Sequence, residues 1–147
     1  MPTLQSLMNL AGRRALITGA TGGLGRVMTE TLAELGADLL LVDRPGSDFN
    51  PLVESVGLTW GVDVEFRFCD LEQQSQRDDL IDSVAGGGKG VNILINNAAF
   101  AGTSELQGWV VPFEQQTVET WRRAMEVNLT AIFHLCKGLA GQLRSVK

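Results

Sequence analysis

The residues of this chain whose types and spacing best suit chemistry are glycines. They lie in Thr18-Gly19-Ala20-Thr21-Gly22-Gly23-Leu24-Gly25, between an apolar run, Ala15-Leu16-Ile17, and an amphipathic helical pattern. A turn in that position can hold a diphosphate through its backbone. Without Cβ atoms the chain bends tightly and comes close to a ligand. The helix that begins there aims N–H groups and the positive end of its dipole at the phosphates. The spacing is T-G-x-x-x-G-x-G, with Gly19, Gly23 and Gly25. It is not G-x-G-x-x-G, and no Lys-Ser or Lys-Thr follows as a P-loop requires. The plainer reading is a strand–helix turn without a ligand. Acids at Asp43 and Asp70 and amides at Asn96-Asn97 and Asn128 are the other candidates. The chain has no tyrosine.

Strands and helices alternate around these positions. Residues 13–18 read as a first strand, and Leu24, Val27, Met28, Thr31 and Leu35 as one face of the following helix, stopped by Gly36. Asp38-Leu39-Leu40-Leu41-Val42-Asp43 reads as a buried second strand, followed by a loop and a short helix near 52–56. Val62, Val64, Phe66 and Phe68 alternate with polar residues, as in a half-buried strand near a sheet edge. A helix over 72–84, a fourth strand over 91–95 and a long helix from 117 to about 143 complete the pattern. Such alternation predicts parallel β-α-β units in an α/β, doubly wound sheet of Rossmann type. Ligands in these sheets bind at the carboxyl ends of the strands. The glycine turn, Asp43, Asp70 and Asn96-Asn97 all follow strand ends.

On the last helix the stripe Val118, Trp121, Met125, Ile132, Leu135 and Leu139 includes Asn128 in a core-facing slot. An unpaired buried amide costs about 1–3 kcal/mol, so Asn128 needs fixed partners, the plainest being a nearby backbone carbonyl. His134, the single histidine, reads as a packed or surface residue. The segment 100–116 is long for a connection, and Trp109, Val110, Val111, Pro112 and Phe113 make it apolar. It either lines a substrate pocket or packs against the protein or a second subunit.

Length, at 147 residues, suits one domain over 1–147. A net charge of -5 without a Lys/Arg cluster argues against nucleic acid; Arg13-Arg14 and Arg122-Arg123 are only pairs. No apolar run approaches the roughly 20 residues of a membrane helix. Cys69 and Cys136 suggest neither a disulfide framework nor a metal site, and the expected setting is cytoplasmic.

The glycine spacing resembles that of the short-chain dehydrogenase/reductase family. Asp70-Leu71 resembles the family's acid after the third strand, which touches adenine. Asn96-Asn97-Ala98-Ala99 resembles its N-N-A-G segment, with Ala99 in place of glycine, and Glu126-Val127-Asn128-Leu129 its N-x-x segment on the fourth helix. The resemblance implies a nicotinamide dinucleotide held by Gly19, Thr21, Gly22, Gly23, Leu24, Gly25, Asp43, Arg44, Asp70, Leu71, Asn97, Ala98 and Ala99. It gives Asn128 a catalytic part, holding a water in a proton path. A carboxylate at Asp43 can accept both adenosine ribose hydroxyls. It also repels the 2′-phosphate of NADP by about 4 kcal/mol at ~4 Å and an effective dielectric near ~20. Arg44 offsets part of that. NAD is therefore expected ahead of NADP.

The family transfers hydride between a carbonyl and an alcohol, with a serine and a Tyr-x-x-x-Lys motif handling the proton. This chain has no such tyrosine, and Ser145 and Lys147 are not assigned those roles. The resemblance covers the front of a seven-stranded sheet ordered 3-2-1-4-5-6-7, with strands 3-2-1-4 accounted for. The expectation is a cofactor-binding part, truncated after the fourth helix and inactive alone, with the fourth strand as a bare edge that self-associates or meets a missing C-terminal half. The partners are then a small carbonyl or alcohol substrate and further copies of the chain. The rival is a non-catalytic dinucleotide-binding or interaction module on the same fold.

Overall fold

A computed structural model describes residues 3–102 and 106–144. In chain order the elements are α1 (Leu4–Met8), β1 (Arg14–Thr18), α2 (Gly23–Glu34), β2 (Asp38–Asp43), α3 (Asn50–Trp60), β3 (Val64–Phe68), α4 (Gln74–Gly86) and β4 (Ile93–Ile95). A 3-10 turn (Phe113–Gln115) precedes α5 (Val118–Met125), a π-turn (Glu126–Thr130), α6 (Ala131–Gly138) and α7 (Ala140–Arg144).

The four strands are parallel and ordered β3-β2-β1-β4, the expected Rossmann-type order. Every residue of β1 is buried, as a parallel strand covered on both faces requires. Alternate side chains feed two cores. Ala15, Ile17, Leu39 and Leu41 meet Ala33, Leu52 and Val56 of α2 and α3 on one face. Leu16, Leu40 and Val42 meet Leu80, Val84, Val127, Ala131 and Leu135 on the other.

Two predicted helix faces are corrected. In α2 the buried residues are Gly25, Thr29 and Ala33, while Leu24 and Val27 face outward. Small residues win that face because the helix begins at the glycine turn, where close approach to β1 leaves no room for long side chains. In the last helical segment Thr120, Ala124 and Val127 are buried and Val118 and Trp121 are exposed, but Leu135 and Leu139 are buried as expected. The π-turn accounts for the difference. It adds one residue to the helix, so a regular 3.6-residue stripe that is right after Ala131 is out of phase before Glu126.

Other elements shift more modestly. The segment from 117 to 143 is not one helix: it breaks again at Leu139. α3 runs to Trp60 rather than 56, and ends where Gly61 takes φ +66°. α1, capped by the Thr3 hydroxyl on the Ser6 N–H at 3.1 Å, was not anticipated. β3 lies at the sheet edge, and Phe66 and Phe68 stand partly exposed around the buried Phe49 ring, at 4.8 and 5.5 Å between ring centres. Among the described residues no helix is long and apolar enough to cross a membrane.

Candidate functional site

The glycine turn leaves β1 at Gly19, whose φ of +66° needs a residue without Cβ. A Cβ there would also come within 2.9 Å of Ala98 Cα and 3.0 Å of Asn97 Nδ2. Gly25 lies beneath the turn, buried; a Cβ would run into the Gly19 carbonyl and Ala20. Gly23 opens α2 and a Cβ there would meet nothing, so this position borders open space. The free N–H groups that begin any helix lie at this end.

Asp43, at the end of β2, ties itself to the turn. Its Oδ2 accepts the Thr21 N–H at 2.9 Å and the Thr21 hydroxyl at 2.7 Å, and its Oδ1 accepts the Arg44 N–H at 2.8 Å. At the end of β4 the Thr18 hydroxyl accepts the N–H groups of Asn97 and Ala98, both at 3.1 Å. Asn97 Nδ2 donates to the carbonyls of Thr18 and Gly19, both at 3.0 Å. The amide thus holds the turn against the fourth strand. Past β3, Asp70 takes the Glu72 N–H on Oδ1 at 3.0 Å, and its own N–H donates to Gln76 Oε1 at 2.7 Å.

These ends surround one open cavity of ≈ 1040 Å³. Gly19, Thr21, Gly22, Gly23, Leu24, Asp43, Arg44, Asp70, Leu71, Asn97, Ala98 and Ala99 all line it. Of the expected cofactor residues only Gly25 does not, since it supports the turn from below. The volume and the Cβ-free rim at Gly22 and Gly23 suit a long ligand with a diphosphate at its middle. The lining mixes backbone and carboxylate with apolar Val42, Leu71 and Val127.

Asn128 is half-buried within the π-turn and is absent from the cavity wall. Its Oδ1 accepts the Phe100 N–H at 2.7 Å and its Nδ2 donates to the Phe100 carbonyl at 3.0 Å. The plainer expectation, a backbone partner, is what the geometry gives. Asn128 fixes the segment that leaves β4, and Phe100 and Ala101 continue the wall.

Several residues of the site carried no motif. Arg123 and Glu72 line the cavity and form a two-pronged pair, Nε to Oε1 at 2.7 Å and Nη2 to Oε2 at 2.8 Å. The Arg123 guanidinium holds the Glu72 carboxyl below the usual carboxylate range. Leu106 is buried and lines the cavity, so the long segment contributes to the wall; residues 103–105 of it lie outside the described residues. Part of it packs on α5, with the Trp109 ring 6.3 Å from that of Trp121 and the Thr120 hydroxyl donating to the Gln107 carbonyl at 3.2 Å, while Val110 and Phe113 stand exposed. Cys69, at the cavity, is buried, and burial pushes its thiol up to about 11. Cys136 is exposed; both cysteines are free. Among the described residues no cluster of potential metal ligands occurs. Ser145 and Lys147 lie outside the described residues.

The sequence profile described as short chain dehydrogenase matches residues 13–147. Galactitol 2-dehydrogenase of Rhizobium johnstonii is 31% identical over 144 residues, covering 97% of this chain and 52% of the relative. L-sorbose reductase of Gluconobacter frateurii, solved with NADPH and L-sorbose, superposes with a TM-score of 0.82 at 28% identity, over 94% of this chain and 50% of that one. A short-chain dehydrogenase of Sphingobium yanoikuyae in complex with NADPH gives 0.75 at 31% identity, over 88% and 47%. The chain thus spans about half the length of the curated relatives it matches.

Proposed function

Because the chain belongs to the short chain dehydrogenase family, we propose that it is the dinucleotide-holding part of an oxidoreductase that interconverts a small carbonyl and its alcohol. The observation that carries this is the convergence of four strand ends on one cavity, with the glycine turn, Asp43, Asp70 and Asn97 on its wall. The turn and the start of α2 take the diphosphate, Asp43 the adenosine ribose and the Asp70-Leu71 end the adenine. Asn97, Ala98 and Ala99 border the nicotinamide half. When bound, the nicotinamide supplies or accepts the hydride. Asn128 fixes Phe100 and in this reading orders a water on a proton path. A titration of NADH fluorescence tests the site: Gly19→Val should abolish binding, and unchanged affinity would count against it.

The reading favours NAD over NADP. Asp43 at the ribose end repels a 2′-phosphate by about 4 kcal/mol before screening, up to about three decades in affinity. The second reading, NADP, is supported by the solved relatives with bound NADPH and by Arg44 beside Asp43 on the wall. Titration with both reduced dinucleotides separates them, and Asp43→Asn should narrow any preference for NADH.

The 147 residues contain no tyrosine to act as the proton donor. We therefore propose that they hold cofactor and do not turn over substrate alone. The same absence favours the rival reading of a binding module without chemistry. Carbonyl reduction by the isolated chain at a rate typical of enzymes would defeat both. Self-association is proposed too, on the support of the β4 edge and the exposed Val118, Trp121, Leu129 and Phe133. Sedimentation of the chain should show a dimer or larger species; a lone monomer would oppose it. The cytoplasmic setting stays a proposal, supported by the two free cysteines.

A further inference from the structure

We infer that Arg77, which belongs to no motif itself, is a positioning residue that holds the two ends of the cavity in one frame. This rests on the proposed dinucleotide site for its functional meaning, but its geometry stands alone. Arg77 projects from α4 and is 2% exposed. A buried guanidinium demands acceptors for its fork of donors. Three of its nitrogens have them on three different pieces of chain. Nη1 donates to the Leu71 carbonyl, beside the Asp70-Leu71 end of the cavity. Nη2 donates to Glu126 Oε1 at 2.7 Å, at the first residue of the π-turn. Nε donates to His134 Nδ1 at 3.1 Å, on α6 beyond that turn.

The guanidinium therefore grips the helix on both sides of its extra residue. A π-turn is a rare interruption of an α-helix, met often at functional sites. Asn128 sits at its centre, and Asn128 in turn grips both backbone groups of Phe100. The path runs from Leu71 through Arg77 to Glu126, along the backbone of the π-turn to Asn128, and on to Phe100, from one wall of the cavity to the other. His134 completes it: with Nδ1 accepting from Arg77, its Nε2 carries the proton and faces Asp78 Oδ1 at 3.1 Å. Lysine at 77 would keep the charge but could not span the three acceptors.

The test is amide hydrogen exchange by NMR on the whole chain. Glu126 is 35% exposed, so Glu126→Ala should fold. It should speed exchange of the Phe100 N–H by about tenfold or more, the loss of one charge-assisted hydrogen bond. Amides of β1 and β2 should change less than about threefold. Arg77→Lys should act in the same direction, and Glu126→Gln, which keeps an acceptor for Nη2, should restore wild-type exchange. Equal acceleration everywhere, or an unmoved Phe100 amide in Glu126→Ala, would overturn the inference. NADH titration of the same variants should show weaker binding for Glu126→Ala and not for Glu126→Gln. If wild type bound no dinucleotide, the proposed function would fail while the exchange result still decided the role of Arg77.

Discussion

Gly19 and Gly61 share a φ of +66°, yet only one has neighbours. A Cβ at Gly61 meets nothing within 4 Å, whereas at Gly19 it meets Ala98 Cα at 2.9 Å, Asn97 Nδ2 at 3.0 Å and Ala98 N at 3.1 Å. Alanine at either place pays the left-handed backbone penalty, about 1–2 kcal/mol. At Gly19 it also pushes on Asn97, whose Nδ2 holds the Thr18 and Gly19 carbonyls. Losing those two hydrogen bonds costs about 0.5–1.5 kcal/mol each. Gly19→Ala should therefore lose about 2–5 kcal/mol and Gly61→Ala about 1–2 kcal/mol. With a urea slope near ~2 kcal/mol per molar, the midpoint falls by about 1–2.5 M and about 0.5–1 M respectively. Equilibrium urea unfolding followed by tryptophan fluorescence measures both. Equal midpoints for the two variants would refute the idea that the turn and the fourth strand are locked together at this contact.

Further outcomes follow from other contacts. Asn128→Ala removes both bonds to Phe100 and should cost about 1–3 kcal/mol in the same unfolding assay, without a shift in the slope. Glu72 has its folded value depressed by Arg123, so its contribution is present above the ordinary carboxylate range and lost as pH falls through the folded value. Arg123→Met should flatten that acid limb by about 0.2–1 kcal/mol, the scale of a partly solvated pair, as read by Tm against pH. Cys69 is raised to about 11, so its contribution is present below about 9 and lost as pH rises toward 11. At pH 8 a thiol reagent should label Cys136 within minutes and Cys69 only on unfolding, as mass spectrometry would report.

The alternating parallel architecture and the edge position of the third strand were legible because they depend on which segments are apolar throughout and which alternate; the order 3-2-1-4 came with the family resemblance. The cavity wall was legible because Asp43, Asp70 and Asn97 follow strands directly. What escaped depends on helix phase. Nothing in Glu126-Val127-Asn128-Leu129-Thr130 announces an extra residue in the helix, so the exposed Trp121 read as core. Leu24 and Val27 were placed inward because hydrophobicity alone cannot see that the first turn of α2 must approach β1 closely. Arg123, Glu72 and Arg77 were silent because a charged side chain near a helix face ordinarily points to water. Their partners lie far off in sequence: Glu72 with Arg123, and Arg77 with Glu126.

The pairing of β1 with two strands of very different remoteness sets an order of events. Ala15 meets Leu39 across a single helix, but meets Ile93 only after α3, β3 and α4 have been made. Non-local pairings are slow because the intervening loop must close first. During synthesis the glycine turn and Asp43 emerge together, and Asn97 reaches them late. The hydrogen bonds from Asn97 to Thr18 and Gly19 join residues 79 and 78 positions apart. A ligand that spans the turn and this late-arriving strand would bind only the finished fold, and would act as a template that slows its unravelling from the β4 side.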